Sequence, residues 1–98
     1  MQNDANRDRL EQALSSPAIF DALLELARTL KSEGMSQLVM YHLFTKRMVK
    51  HENDQDETRY DAIVEILTLI WGGGWAKGRG IFDTELTHED VVRIRDSD

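Results

Sequence analysis

Apolar residues recur at helical spacing along most of the chain, and this pattern predicts a succession of α-helices. The first predicted helix runs from about Asp4 to Ser15, with Leu10 and Leu14 on a thin apolar edge. No alternation of apolar and polar residues is long enough to predict a β-strand. The pattern therefore indicates an all-α bundle of four to five helices.

Two further helices are predicted on either side of a tight turn at Gly34. Ser16 and Pro17 predict the start of the earlier one, because serine caps helix ends and proline suits the first helical position. Gly34 ends it, since glycine readily takes the left-handed conformation. Ser36 then caps a helix that continues to about His51. Apolar residues at helical spacing mark the core faces: Phe20, Leu23, Leu24, Ala27 and Leu30 in the earlier helix, and Val39, Met40, Leu43, Phe44 and Met48 in the later one.

The most apolar segment is a fourth predicted helix, from about Asp56 to Trp71. Its polar residues, Asp61, Glu65 and Thr68, share one narrow edge. A helix that is apolar around most of its girth must be covered on most sides. We therefore expect it to be the central element of the fold, with Trp71 buried.

Glycines end the fourth helix at 72–74, and residues 75–86 are predicted to be irregular before a short C-terminal helix. That last helix is predicted to begin at a capping box in residues 87–90. We expect a single domain of 98 residues, with flexible ends at 1–9 and 96–98. The irregular segment has four apolar anchors: Trp75, Ile81, Phe82 and Leu86.

The composition is that of a globular protein with an excess of acidic residues. Eighteen Asp and Glu residues against twelve Lys and Arg give a net charge of −6 with neutral histidine. This balance argues against general binding to nucleic acid or anionic membranes, because phosphate contacts need clustered cations. The absence of cysteine excludes disulfides, thiolate zinc sites and thiol nucleophiles. The polar start has no signal-peptide pattern and no apolar stretch is long enough to span a bilayer, so we expect a cytoplasmic location.

Gly34, Met35, Ser36 and Gln37 follow a helix in the order that opens the second helix of repressor-type helix-turn-helix domains. The segment resembles that family, and the resemblance implies a DNA-binding regulator. However, the predicted helix continues unbroken to about Lys50, and the next helix is too apolar to lie in a major groove. A helix ended by glycine and another begun by serine explains these residues better.

Residues 72–80 contain five glycines together with Lys77 and Arg79, a composition that suggests a phosphate-binding loop. Such a loop needs Gly-Lys-Ser/Thr at the start of a helix, whereas these glycines follow the end of one. A turn that brings the chain back on itself fits the pattern better. The alternative is a partner-contacting loop with Trp75 and Arg79 as anchors, since Trp and Arg are enriched in interfaces.

Basic residues at the end of the third helix are followed by several carboxylates in residues 52–57. One interpretation is an acidic patch for a basic partner, with Asp54, Asp56 and Glu57 steering its approach. The other is that each charge complements the dipole of the nearest helix end. The sequence leaves both interpretations open.

No residue pattern predicts catalysis, a cofactor or a metal ion. The Asp54–Glu65 segment approaches a calcium loop, but Arg59 stands where the sharp turn requires glycine. The three histidines lack metal-ligand spacing, and no nucleophile motif is present. Asp61 lies one helical turn before Glu65, where we expect contact with water or a neighbouring cation rather than acid–base chemistry. The sequence therefore favours a protein that is not an enzyme.

The remaining profile is small, acidic, helical and free of cysteine, and it is similar to that of bacterial immunity proteins and antitoxins. This similarity is one of composition, and it implies a module that neutralises a basic partner protein by charge and shape. The alternative is a homodimer that completes the cover of the fourth helix across a two-fold axis. A helix-turn-helix regulator is a third hypothesis, against which the net charge argues.

Overall fold

Four α-helices make up the part of the chain that the structure describes, and this part contains no β-strand. The predicted all-α fold is thereby confirmed. None of these helices is long and apolar enough to cross a membrane. The structure, a computed structural model, describes residues 2–73, 80–82, 85–87, 89, 90 and 92. The helices are α1 (Gln2–Leu14), α2 (Ile19–Ser32), α3 (Gln37–His51) and α4 (Thr58–Trp71).

The apolar sequence of α4 predicted a helix covered on most sides, and six of its residues are buried, more than in α2 or α3. Helix α4 packs against both α2 and α3, while α1 packs on α2. Ile63, Ile66 and Ile70 of α4 are fully buried in one cluster with Phe44 of α3. A single hydrophobic core therefore joins all four helices. Its largest fully buried side chains are Leu10, Leu14, Leu23, Leu30, Met40, Phe44, Ile63, Ile66 and Ile70.

The turn between α2 and α3 has the helix end predicted at Gly34. Gly34 has a positive φ of 99°, and its N–H donates to the carbonyl oxygen of Lys31 at 3.0 Å. The Met35 N–H donates to the carbonyl oxygen of Leu30, also at 3.0 Å. These two bonds satisfy carbonyl groups at the end of α2. Glycine is favoured here because a side chain strains a backbone of positive φ.

The residues that resemble the opening of a helix-turn-helix have structural partners. Ser36 Oγ accepts a hydrogen bond from the Val39 N–H at 3.2 Å and caps α3, as predicted. Gln37 Nε2 donates to the carbonyl oxygen of Ile70 at 2.8 Å, and so satisfies an acceptor in the last turn of α4. Helix α3 then continues without a break to His51. These contacts account for the Ser-Gln pair within the fold itself.

Helix α2 begins later than predicted. Its first residue is Ile19, and Ser16 lies in the preceding turn, where Ser16 Oγ accepts from the Ala18 N–H at 3.1 Å. The N–H groups of Ser15 and Ser16 each donate to a carbonyl oxygen near the end of α1 at 3.1 Å. These bonds extend the end of α1 into the turn. Ser16 therefore does not cap α2, and Pro17 does not occupy its first position, contrary to the prediction.

Helix α1 begins at Gln2, so residues 2–9, predicted to be flexible, are helical in the structure. Both terminal nitrogens of Arg9 donate to the Glu33 carboxylate at 2.8 Å, which fastens α1 to the end of α2. The same hydrogen bonds hold the pKa of Glu33 below its ordinary value. The next residue, Leu10, is fully buried in the hydrophobic core and so also holds α1 in place. Residues 96–98, the other predicted flexible end, lie outside the described residues.

Two further arginines fasten α1 to α3 and α4. The buried guanidinium of Arg47 on α3 forms an ion pair with Glu11 of α1. Arg59 of α4 donates from Nε to the carbonyl oxygen of Leu14, in the last turn of α1, at 3.2 Å. A carbonyl there lacks a partner within its own helix. Polar contacts to three other helices thus supplement the thin apolar edge that the sequence indicated for α1.

The described residues 80–82 and 85–87, which follow α4, contact the C-terminal end of that helix. Trp71 Nε1 donates to the carbonyl oxygen of Leu86 at 3.1 Å, and the Leu86 N–H donates to the carbonyl oxygen of Trp71 at 2.9 Å. The Ile81 N–H donates to the carbonyl oxygen of Leu69 at 3.0 Å. Leu86 is buried and Ile81 packs against the core, as predicted. The predicted anchor Trp75 lies outside the described residues.

Lys31 of α2 secures the same segment from its other side. Its Nζ donates to the carbonyl oxygen of Ile81 at 2.7 Å and lies 5.2 Å from the centre of the Phe82 ring. A cation at this distance is attracted by the ring. Gly80 comes so close to α4 that a Cβ atom would lie 2.8 Å from the carbonyl oxygen of Leu69. Only glycine fits at position 80, because any side chain would collide with the backbone at the end of α4.

A reciprocal capping box begins the predicted C-terminal helix. The Thr87 N–H donates to the Asp90 carboxylate at 3.3 Å, and the Asp90 N–H donates to Thr87 Oγ1 at 3.1 Å. Residues 89, 90 and 92 have helical backbone. Val92 is exposed, while Val91 and Ile94, the other predicted apolar residues, lie outside the described residues.

The ion pair between Arg47 and Glu11 predicts an asymmetric response to mutation. The Arg47 side chain is 9% exposed, whereas that of Glu11 is 46% exposed. Glu11→Ala leaves a buried charge without a partner and should lower the free energy of unfolding by about 2–3 kcal/mol. Arg47→Met leaves only a solvated carboxylate and should cost about 1 kcal/mol or less. Urea denaturation measures both, and a larger cost for Arg47→Met would contradict this account.

Candidate functional site

Asp54, predicted to steer a partner, forms an ion pair or hydrogen bond within its own loop. His51 Nδ1, in the last turn of α3, lies 2.7 Å from Asp54 Oδ2. The Asp54 side chain is 35% exposed, whereas that of His51 is largely buried. His51 Nε2 is buried and has no hydrogen-bond partner among the described residues. Asp54 therefore helps to hold the end of α3, and its charge is only partly presented to solvent.

Asp56 lies at the start of α4, which begins at Thr58 rather than at Asp56 as predicted. Its Oδ1 accepts from the Thr58 hydroxyl at 2.5 Å and from the Thr58 N–H at 3.0 Å. These two hydrogen bonds, hydroxyl first, lower the pKa of Asp56, and the positive charge of Arg59 lowers it further. Asp56 thus satisfies a free N–H at a helix start, as the dipole interpretation expects.

Glu57 begins a row of three exposed carboxylates along α4. Glu57, Asp61 and Glu65, called the acidic row below, are four residues apart and so lie on one side of the helix. None of the three side chains has a hydrogen bond or ion pair among the described residues. The expected contact of Asp61 and Glu65 with water is confirmed, since both are exposed. Their negative charge is therefore available to a partner.

A groove of about 270 Å³ opens between α3 and α4 next to the acidic row. Its walls include two tyrosines, a methionine and a tryptophan, types enriched at protein interfaces. Val64 in this groove is 36% exposed, whereas the other aliphatic side chains of α4 are buried. Trp71 is half-buried rather than buried as expected, because one side of it lines the groove. The lining residues are Tyr41, Thr45, Met48, Tyr60, Val64, Leu67, Thr68 and Trp71.

Helical geometry places the acidic row along the outer edge of this α3–α4 groove. Asp61 directly follows Tyr60, and Glu65 directly follows Val64, each turned about 100° further round the helix. The groove extends from Tyr60 to Trp71, a rise of about 16 Å along α4. A groove about three helical turns long, lined by both apolar and polar groups, is thus bordered by negative charge on its α4 side.

A larger cleft of about 530 Å³ lies between α1 and the α2–α3 turn. Val39 at its edge is 56% exposed. Its charged residues, Arg9 and Glu33, are paired with each other, so their charges are largely neutralised within the cleft. The α3–α4 groove is the stronger candidate because the carboxylates beside it form no ion pair with any residue that the structure describes. The cleft is lined by Ala5, Asn6, Arg9, Leu30, Glu33, Gly34, Met35, Ser36 and Val39.

Trp75 and Arg79, the predicted anchors of the glycine-rich loop, lie outside the described residues. Their role in partner binding therefore stays a prediction. The described ends of the loop show close packing instead. A Cβ atom on Gly73 would lie 2.5 Å from Glu85 Oε1 and 2.6 Å from the Trp71 ring. Glycine at positions 73 and 80 therefore allows the chain to lie close to Trp71 and Leu69 of α4, as the turn interpretation expects.

Sequence reasoning placed Asp61 and Glu65 on a polar edge but did not identify the groove beside them. The sequence does indicate one wall of the groove, because Tyr60 and Val64 directly precede Asp61 and Glu65 and have the same four-residue spacing. The opposite wall, which includes Tyr41 and other residues of α3, depends on how α3 packs against α4. That packing is a tertiary contact that helical periodicity does not specify.

The described residues contain no group of three or more potential metal ligands of the His, Cys, Asp or Glu type. Comparisons of the chain with protein-family models, with curated proteins and with solved structures found no match.

The hydrogen bonds of Asp56 predict how stability depends on pH. Its pKa is lowered on folding, so its charged form stabilises the fold above about pH 4 and this contribution is lost as the pH falls through the lowered value. Asp56→Asn should therefore be less stable than the wild type at pH 7, with the difference shrinking below pH 4. Urea denaturation across this range measures it.

Glu57→Gln is the matched control, because the Glu57 carboxylate accepts no hydrogen bond among the described residues. At pH 7 it should be destabilised less than Asp56→Asn, because the substitution removes no hydrogen bond at the start of α4. An Asp56→Asn difference that persists undiminished at pH 2 would show that the charge of Asp56 is not what stabilises the start of α4.

Proposed function

We propose that this protein is a small acidic protein-interaction module that binds a basic partner protein. The observation that carries the proposal is the acidic row of Glu57, Asp61 and Glu65, exposed, unpaired among the described residues and adjacent to the α3–α4 groove. Unpaired surface charges attract an oppositely charged protein without desolvation of an existing ion pair. The aromatic groove supplies apolar area beside them.

The net charge of the whole chain is also negative, as the proposed binding of a basic protein requires. The charge of −6 raises the rate of encounter with a basic protein at low ionic strength. Asp56, whose pKa is lowered by its hydrogen bonds with Thr58, keeps its negative charge and strengthens the negative potential near Glu57. A negative charge directed at a basic partner is also what the similarity in composition to immunity proteins and antitoxins implies.

The two alternative functions have less support. The homodimer hypothesis arose because α4 needs cover on several sides, yet its six core residues are buried within a single chain. The regulator hypothesis arose from the turn at Gly34, where Ser36 and Gln37 have partners inside the fold. Neither alternative accounts for the unpaired carboxylates of α4.

Charge reversal with a matched control tests the proposal. Asp61→Lys with Glu65→Lys reverses two charges of the acidic row. Asp21→Lys with Glu25→Lys makes the same change on α2, where both acids are exposed and also one helical turn apart. Asp21 and Asp61 each lie in the first turn of their helix, so the two pairs have similar effects on helix dipoles.

Tagged wild type and both double variants are used to capture proteins from the native host's lysate at low salt, with elution by a salt step. We expect the wild type and the α2 variant to retain the same basic protein, released by salt, and the α4 variant to lose it. Retention of no specific protein, or equal retention by both variants, would show that the acidic row does not bind a partner.

A further inference from the structure

We propose that the α3–α4 groove is the docking site for one amphipathic helix of the partner, with a basic row along the helix side that faces α4. This inference rests on the proposed function, which it makes more specific. Binding of an amphipathic helix in an apolar groove is a common mode of peptide recognition. The shape of the groove, its side chains and the distribution of charge at its edges each support this occupant.

The groove, about 270 Å³ in volume, can take a row of side chains from a short helix that lies along it. The groove runs about 16 Å along α4, from Tyr60 near the acidic loop to Trp71 at the C-terminal end. A ligand helix of about 11 residues has the same length. Two helices form the walls, so a third helix laid between them can place apolar side chains at every turn against Met48, Val64 and Trp71.

Charge differs between the two sides of the groove. The acidic row follows the α4 side, whereas on α3 the exposed Val49 adjoins the groove, and Lys46 and Lys50 lie further round that helix. A bound helix therefore meets carboxylates along one side and apolar or basic groups along the other. Lysines or arginines one turn apart on the ligand match the four-residue spacing of the carboxylates.

A second copy of this chain fits the groove less well. Each copy carries a net charge of −6, so two copies of the chain repel one another as they approach. Like charges held close together are destabilising. Charge complementarity therefore favours a different, basic protein as the occupant.

Selection from a displayed library of random peptides of about 14 residues tests the inference whatever the identity of the partner. We expect enriched sequences to carry apolar residues at helical spacing and Lys or Arg in the neighbouring row. On titration of the best peptide into the ¹⁵N-labelled protein, chemical shifts should change at Met48, Tyr60 and Val64 and not at Val39 or Glu33.

Single variants with a matched control distinguish the groove from the remaining surface. Val64→Asp places a charge in the groove and should lower the affinity for the selected peptide about tenfold or more. Val39→Asp makes the same change at an exposed valine outside the groove and should leave affinity unchanged. Asp61→Lys with Glu65→Lys should weaken binding at low salt, and the α2 double variant should not.

Failure to enrich any peptide, enrichment of acidic sequences, or equal binding by the Val64→Asp and wild-type proteins would overturn the inference. A concentration-dependent dimer that Val64→Asp dissociates would identify a second copy as the occupant and also overturn it. The capture experiment separates this failure from that of the proposed function. If the α4 double variant loses a basic protein that Val64→Asp retains, the acidic row binds a partner but the groove does not.

Discussion

The rest of the structure depends on the need to cover α4. Its core residues, including Ile63, Ile66 and Ile70, occupy so much of its circumference that one neighbouring helix is not enough. Helices α2 and α3 cover two sides, and the segment near Ile81 and Leu86 returns to cover the C-terminal end. The glycines after α4 allow the chain to pack closely against the end of this helix. The side-chain hydrogen bonds of Gln37 and Trp71 join that end to α3 and to Leu86.

The candidate site is the part of α4 that this cover leaves exposed. Once α2, α3 and the returning segment are in place, the surface of α4 that meets solvent contains Tyr60, Val64 and the acidic row. The α3–α4 groove is thus a consequence of packing two cylindrical helices side by side, and its chemistry depends on which residues fall on that strip. An exposed valine beside carboxylates there contributes little to the core, so the core does not explain its identity.

Local rules predicted the features that depend on a few neighbouring residues. Gly34 and Gly72 end their helices with positive φ, and Ser36 caps α3, because these requirements lie within one turn of chain. The predicted start of α2 was wrong because Ser16 is held by the end of α1. The pairing of Arg47 with Glu11 and the groove itself depend on helix packing, which the spacing of residues within one helix cannot specify.

Helix dipoles explain some of the acidic residues but not all. Asp56 bonds to a free N–H at the start of α4, and Asp61 lies in the first turn, where a negative charge is favourable. Glu65 lies beyond that turn, where the effect of the dipole has faded. The exposed acids of α2 also include one beyond the first turn, Glu25, but α2 contributes no residue to the α3–α4 groove. Position beside the α3–α4 groove, rather than acidity alone, therefore distinguishes the acidic row of α4 from the other exposed acids, and the proposed binding of a basic partner rests on that position.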